Sequence, residues 1–136
     1  MEKSIKTKIL FLCTGNSCRS QMAEGFAKKL GWDAYSAGTH PELAIDSNAI
    51  KVMNEMGVDI SHHKPKSLNL YSNQNFRIIA SVCDNAKQSC PIFNGKSHSI
   101  IHKGFKDPAK TKGSKEDILK EFRTVRNSIK TWIDSL

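Results

Sequence analysis

The sequence predicts an α/β fold of three layers, with a four-stranded parallel sheet between helices. Two observations carry this. Short apolar runs at residues 9–12, 34–37, 78–82 and 99–101 alternate with stretches of helical periodicity, and such alternation builds a parallel sheet with helices on both faces. The chain is also 136 residues long, enough for one substantial core and too short for two. Residues 1–136 are therefore expected to form a single domain.

In the first helix, residues 21–30, Met22, Ala23, Phe26, Ala27 and Leu30 share a face and Gly31 follows as a stop. A second helix is capped by Asp46 or Ser47, turns Ala49, Ile50, Met53 and Met56 inward and ends at Gly57. Residues 61–75 are polar, contain Pro65 and have weak periodicity, so they predict a short helix within a mobile stretch. Ser114 and Asp117 form a capping box for the last helix, where Ile118, Phe122, Val125, Ile129, Trp132 and Leu136 recur at steps of four and three. That stripe is a core face. No internal repeat, linker or low-complexity segment interrupts the pattern.

Composition excludes several function classes. No apolar run approaches the ~18 residues of a membrane span, and the charged start of the chain lacks the apolar centre of a secretory signal. The expected location is the cytoplasm, where cysteines are kept reduced and are more often catalytic, redox-active or metal-binding than structural. A net charge of +8 invites a nucleic-acid reading. The lysines are spread thinly, however, without a dense basic run or interleaved aromatics, which predicts a solvated basic surface and no nucleic-acid partner. Its field would concentrate small anions.

Residues 13–20 read C-T-G-N-S-C-R-S, on the turn between the first strand and the first helix. Such a turn points backbone N–H groups and the positive end of a helix dipole at one place, where they cradle an oxyanion. Thr14, Gly15, Asn16, Ser17, Cys18, Arg19 and Ser20 would form the cradle around Cys13. N–H donors and a nearby cation favour the Cys13 thiolate, Arg19 offers a planar fork to two oxygens, and Gly15 supplies a positive φ. Ser20 Oγ would donate to the thiolate, and the Asn16 amide would brace a loop of mostly positive-φ residues. The bland alternative is a buried strand-end cysteine beside a solvated arginine. Against it stands the strand–turn–helix context that the motif requires.

Ligands of open α/β sheets bind at the carboxyl ends of strands, and both Cys13 and Cys83 fall at such ends. Cys83 and Cys90 sit seven residues apart in C-D-N-A-K-Q-S-C-P. On a helix they would stand roughly 10 Å apart at ~1.5 Å per residue, and a disulfide needs Cα atoms within about 7 Å. Residues 84–90 are therefore expected to be compact when reduced and looped out when bonded. Cys83 could also approach Cys13 for thiol–disulfide exchange. Zinc is disfavoured, because neither C-x4-C nor C-x6-C matches tight ligand pairs and Arg19, next to Cys18, adds an unhelpful positive charge. The Cys18 side chain is expected to be a small buried hydrophobe. Asp107, in G-F-K-D-P-A, is either a general acid facing the cradle or an ordinary Asp-Pro turn.

The assembly resembles the thioredoxin-coupled arsenate reductases, which share a fold with the low-molecular-weight protein tyrosine phosphatases. The resemblance runs nearly end to end, through F-L-C-T-G-N-S-C-R-S-Q-M-A-E-G at 11–25, Y-S-A-G at 35–38, V-D-I-S at 58–61, C-x6-C-P at 83–91, G-F-x-D-P-A at 104–109 and E-F-R-T-V-R at 121–126. It implies arsenate as substrate, Cys13, Cys83 and Cys90 as a thiol relay, Arg19 as oxyanion ligand, Asp107 as general acid and thioredoxin as reductant. It implies no flavin, haem or nicotinamide. Phosphatases resemble one another in carrying aromatics after Asp-Pro; here Ala109 follows Pro108 and no aromatic lies before Phe122. The phosphatase is thus the alternative reading. Some family members bind potassium through groups matching Asn16, Glu24 and Ser36 plus an acidic residue in the next loop. Here that loop reads H-H-K-P-K-S, with Lys64 and Lys66 and no carboxylate, so a lysine ammonium could replace the cation.

Overall fold

A computed structural model describes residues 8–83 and 96–136. Among them are four strands, β1 (Lys8–Cys13), β2 (Asp33–Gly38), β3 (Asn75–Ser81) and β4 (Lys96–His102), and three α-helices, α1 (Arg19–Lys29), α2 (Ser47–Asn54) and α3 (Lys115–Asp134). The strands form one sheet in the order β2-β1-β3-β4, and every pairing is parallel. The chain leaves β1 toward β2 on one side and returns to β3 on the other. The strand order therefore reverses at the carboxyl end of β1, and a crevice opens there.

Burial explains the layering. Ile9, Phe11 and Ala80 on one sheet face join Met22, Ala23 and Phe26 of α1, Ala49, Val52 and Met53 of α2 and Phe122, Val125, Ile129 and Ile133 of α3 in one cluster. Leu10, Leu12, Phe76 and Ile79 on the opposite face pack with Tyr71, from a 3-10 turn (Leu68–Tyr71) that Ser67 caps. β1 is buried on both faces, which is why residues 9–12 read as a continuous apolar run. Among the described residues the three α-helices share one face and the 3-10 turn covers part of the other.

Most expected elements form, with shifts that have physical reasons. Asp46 caps α2, its carboxylate accepting the Asn48 N–H at 2.8 Å. The Ser114–Asp117 capping box of α3 forms in both directions. The short helix expected within residues 61–75 forms as the 3-10 turn Leu68–Tyr71. Leu30 and Leu136, assigned to core stripes, are 54% and 38% exposed because both lie past the ends of their helices. The 3.6-residue period carries the α3 stripe to Ile133, which is buried. Cys90 and the proposed rearrangement of residues 84–90 lie outside the described residues.

A charge cluster ties α3 to the end of α2. Glu55 accepts from Arg123 Nη2 at 2.7 Å and from Arg126 Nη1 at 2.8 Å, and buried Arg126 also donates to the Val52 carbonyl at 2.9 Å. The Arg123 hydrogen bond, aided by Arg126, draws the Glu55 carboxyl from 4.5 down to about 2. A lowered folded-state pKa stabilises above the unfolded value, and the contribution fades as pH falls through the folded one. We expect Glu55→Gln to lose about 1 kcal/mol at neutral pH, a modest figure because the carboxylate is partly exposed. Urea melts should show the gap between wild type and variant closing as pH falls from 4.5 toward about 2.

Candidate active site

Cys13 is the last residue of β1 and is 3% exposed. Residues 14–18 turn the chain into α1, whose first residue is Arg19 and whose N-cap, Cys18, makes no side-chain cap hydrogen bond. The neighbouring segment holds the turn from outside. His40 N–H donates to the Thr14 carbonyl at 2.9 Å, Glu42 N–H to Gly15 at 2.9 Å and Asp46 N–H to Ser17 at 3.0 Å. With these carbonyls engaged outward, the turn can present its N–H groups to the crevice, as an oxyanion site requires. Gly38, beside Cys13 in the sheet, admits this close packing, since a Cβ there would overlap the Thr14 carbonyl.

Arg19 and Asp107 meet as expected. Arg19 Nη1 donates to the Phe105 carbonyl at 3.0 Å, and Nη2 stands 3.6 Å from Asp107 Oδ2. The loop after β4 reaches the cradle because Phe105 is buried against Trp132, their ring centroids 5.6 Å apart. Asp107 Oδ1 accepts the Ala109 N–H at 3.0 Å. The Asp-Pro turn and the carboxyl beside Arg19 are thus one arrangement.

Cys83, 70 residues along the chain, lies beside Cys13 and forms a thiol hydrogen bond with it. This contact and burial push the Cys13 pKa well up, against the pull of Arg19 and the Thr14 N–H. The expected standing thiolate is therefore corrected: the arrangement favours a neutral Cys13 thiol paired with a second thiol. Cys18 is buried in the apolar cluster, and burial, with Asp46 adding to it, raises its pKa as well. It is the inert small hydrophobe anticipated.

One further expectation changes. Among the described residues Asn16, at φ 53, is the only non-glycine with positive φ, and Gly15 is not in that region. The missing Cβ of Gly15 instead leaves room for Glu42, whose Cγ lies 3.0 Å from where that Cβ would be. Ser20 Oγ accepts from Asn16 Nδ2 at 2.8 Å and so helps brace the loop, with its own hydroxyl proton left to donate.

Asn16 is the hub of that bracing, fully buried. Its Nδ2 also donates to Ser36 Oγ at 2.9 Å, and its Oδ1 accepts from Gln21 Nε2 at 3.0 Å and from the Lys66 N–H at 2.8 Å. Gln21 and His63 were not singled out in the sequence. Gln21 Oε1 lies 2.9 Å from His63 Nδ1, and its Nε2 donates to the Lys64 carbonyl at 3.0 Å. A glutamine beside the apolar stripe of α1 was the available signal. Ser36 Oγ donates to Glu24 Oε1 at 2.6 Å. Burial would raise the Glu24 pKa, but Lys66, Lys28, Ser36 and His63 together draw it below the ordinary value.

As they stand, these residues do not fit a potassium ion. Lys66 Nζ is 3.6 Å from Glu24 Oε1, and Lys28 Nζ is 2.6 Å from Oε2. Two ammonium groups already meet the carboxylate a metal would need. Among the described residues no cluster of histidine, cysteine and carboxylate side chains could hold a metal ion, and no helix is long and apolar enough to cross a membrane.

The profile of the low molecular weight phosphotyrosine protein phosphatases matches residues 8–136. The chain belongs to that family. Within it, relatives named arsenate reductase stand close in sequence. The protein of Halalkalibacterium halodurans is 43% identical over 127 residues, spanning 91% of this chain and 90% of its own. Arsenate reductase 1 of Staphylococcus epidermidis is 41% identical over 133 residues, spanning 96% and 95%. Among solved structures, an arsenate reductase in the phosphate binding state superposes with a TM-score of 0.79 at 30% identity, with 94% of each chain covered. A low molecular weight protein tyrosine phosphatase from T. tengcongensis superposes at 0.65 and 28% identity, covering 93% of this chain and 94% of its own. The phosphatase family thus includes relatives of both names at similar coverage.

Proposed function

We propose that this protein is an arsenate reductase, turning arsenate into arsenite with electrons from its own thiols. The observation that carries this is the Cys83 thiol held against Cys13 at the base of the cradle, a second sulfur that phosphate-ester hydrolysis does not use. Relatives named arsenate reductase at 43% and 41% identity support the same reading.

These positions support the first steps, and the 83–90 cysteine pair of the sequence supplies the last. Arsenate binds on the 14–18 turn and the Arg19 fork. Cys13 attacks arsenic, and Asp107 supplies the proton with which a hydroxyl leaves as water; the proton lost by Cys13 restores the carboxyl. Cys83 then attacks Cys13. Its thiol proton goes to the departing oxyanion, the S–As bond breaks with its electron pair on arsenic, and arsenite leaves a Cys13–Cys83 disulfide. Cys90 next attacks Cys83, freeing Cys13 and moving the disulfide to 83–90. A dithiol protein of the thioredoxin class, in a reducing cytoplasm, completes the cycle.

Steady-state assays with arsenate, thioredoxin, thioredoxin reductase and NADPH are expected to show turnover. Cys90→Ser should stop after one arsenite per chain, and a variant that cycled normally would sink the relay. Efficient hydrolysis of phosphotyrosine peptides without arsenate turnover would favour the phosphatase reading instead.

A further inference from the structure

The bracing beneath the cradle closes into a ring through one residue. The Lys66 backbone N–H donates to Asn16 Oδ1 at 2.8 Å, Asn16 Nδ2 donates to Ser36 Oγ at 2.9 Å, and Ser36 Oγ donates to Glu24 Oε1 at 2.6 Å. The Lys66 ammonium then lies 3.6 Å from that same Oε1. It also donates to the Lys64 carbonyl at 3.0 Å. The ring runs through Asn16, whose left-handed φ of 53 sets the course of the cradle. We propose that Lys66 is a positioning residue, its ammonium serving as a resident cation that holds Glu24, Ser36 and Asn16 in register under the anion cradle, in place of a bound metal ion.

Charge and burial both favour this. The Glu24 side chain is 5% exposed, and a carboxylate that buried needs a partner. Lys28 and His63 also face it, at 2.6 and 4.0 Å, both through Oε2. Lys28 reaches in from a side chain 47% exposed, whereas that of Lys66 is 22% exposed and meets the Ser36 side of the carboxylate. Of these three, Lys66 alone touches both ends of the ring, through its main chain at Asn16 and its side chain at Glu24. The atoms around the ammonium are oxygens, the donor set that suits a hard cation.

The inference rests on the reading of residues 13–20 as an oxyanion cradle, and its test separates the two. Phosphate binding to the wild-type chain, measured by calorimetry, checks the cradle alone. For Lys66, wild type should have the same melting temperature and phosphate affinity in potassium chloride and in choline chloride of equal ionic strength. Lys66→Met, which keeps the length and removes the charge, should bind phosphate roughly tenfold more weakly in choline, a loss like that on removing a ligand's supporting partner. Potassium should restore much of that affinity and raise the variant's melting temperature. Lys66→Arg should stay near wild type in both salts, and Lys28→Gln should lose less than Lys66→Met. A wild-type chain that itself responds to potassium would overturn the proposal, even if Lys66→Met fails to fold. So would a Lys66→Met chain that binds phosphate as wild type does in choline, or one whose loss potassium does not repair.

Discussion

Cys83→Ser should abolish arsenate turnover, with a fall on the order of 10^4-fold, while hydrolysis of a small aryl phosphate stays close to the wild-type rate. Both reactions begin with the same oxyanion on the same cradle, because phosphate and arsenate share charge and shape. They part after Cys13 has attacked. A phosphorylated Cys13 needs only water to release phosphate, whereas arsenite leaves only when a second thiol takes the sulfur of Cys13. Cys83 is the buried thiol in contact with it, and a serine hydroxyl at that place cannot form the disulfide. Cys83→Ala, which removes the hydrogen bond as well as the thiol, also takes away the first cause of the raised Cys13 pKa. Hydrolysis by Cys83→Ala should therefore reach its plateau at lower pH than that by wild type. Parallel pH profiles of aryl phosphate hydrolysis and NADPH-coupled arsenate turnover make the measurement. Loss of hydrolysis in a folded Cys83→Ser protein would show that the two thiols do not divide the work this way.

The parts of the site that were legible in the sequence are those that short stretches of chain determine. Cys13, Arg19 and the turn between them lie on consecutive residues between a strand and a helix, so their meeting follows once those elements form. Asp107 was legible to the extent that Asp-Pro announces a turn; that the turn faces Arg19 depends on Phe105 lodging against Trp132, a packing contact no local pattern contains. The backbone of the cradle was misread at one step. Glycine is the usual residue for a left-handed φ, yet here Asn16 takes it, because four side-chain hydrogen bonds, from Asn16 to Ser20 and Ser36 and from Gln21 and Lys66 to Asn16, hold it there.

What the sequence concealed is mostly long-range. The partners of Asn16 come from residues 4 to 50 positions away, and the protonation state of Cys13 is governed by Cys83 in another strand's wake. Cation and N–H donors argue for a thiolate when the motif is read alone. Burial and a neighbouring thiol argue more strongly for the neutral form, and only the fold brings that neighbour in. The same limit applies to Glu24, which only the family resemblance linked to Asn16 and Ser36 and which is buried among Lys28, Lys66, His63 and Ser36.

Arg19→Lys should reduce kcat/KM for arsenate and for aryl phosphate together, by roughly 10^2 to 10^3-fold. The substitution keeps the positive charge and therefore isolates geometry. Arg19 spends Nη1 on the Phe105 carbonyl at 3.0 Å and holds Nη2 near Asp107 at 3.6 Å, so its fork both fixes the Asp107 loop and faces the crevice. A lysine offers a single ammonium on a flexible stem. It can hold either the Phe105 carbonyl or an oxyanion, but cannot present two coplanar donors. The transition state, with charge spread over several oxygens, should lose more than the bound ground state, so the fall should appear mainly in kcat and less in KM. Asp107→Asn offers the comparison: it removes the proton donor and leaves the fork, so hydrolysis of an ester with a strongly acidic phenol, which needs little protonation to depart, should suffer far less than with a weakly acidic one. In Arg19→Lys both esters should fall alike. Equal sensitivity to the leaving group in the two variants would mean that Arg19 acts chiefly by positioning Asp107, and that the oxyanion is carried by the backbone of the turn.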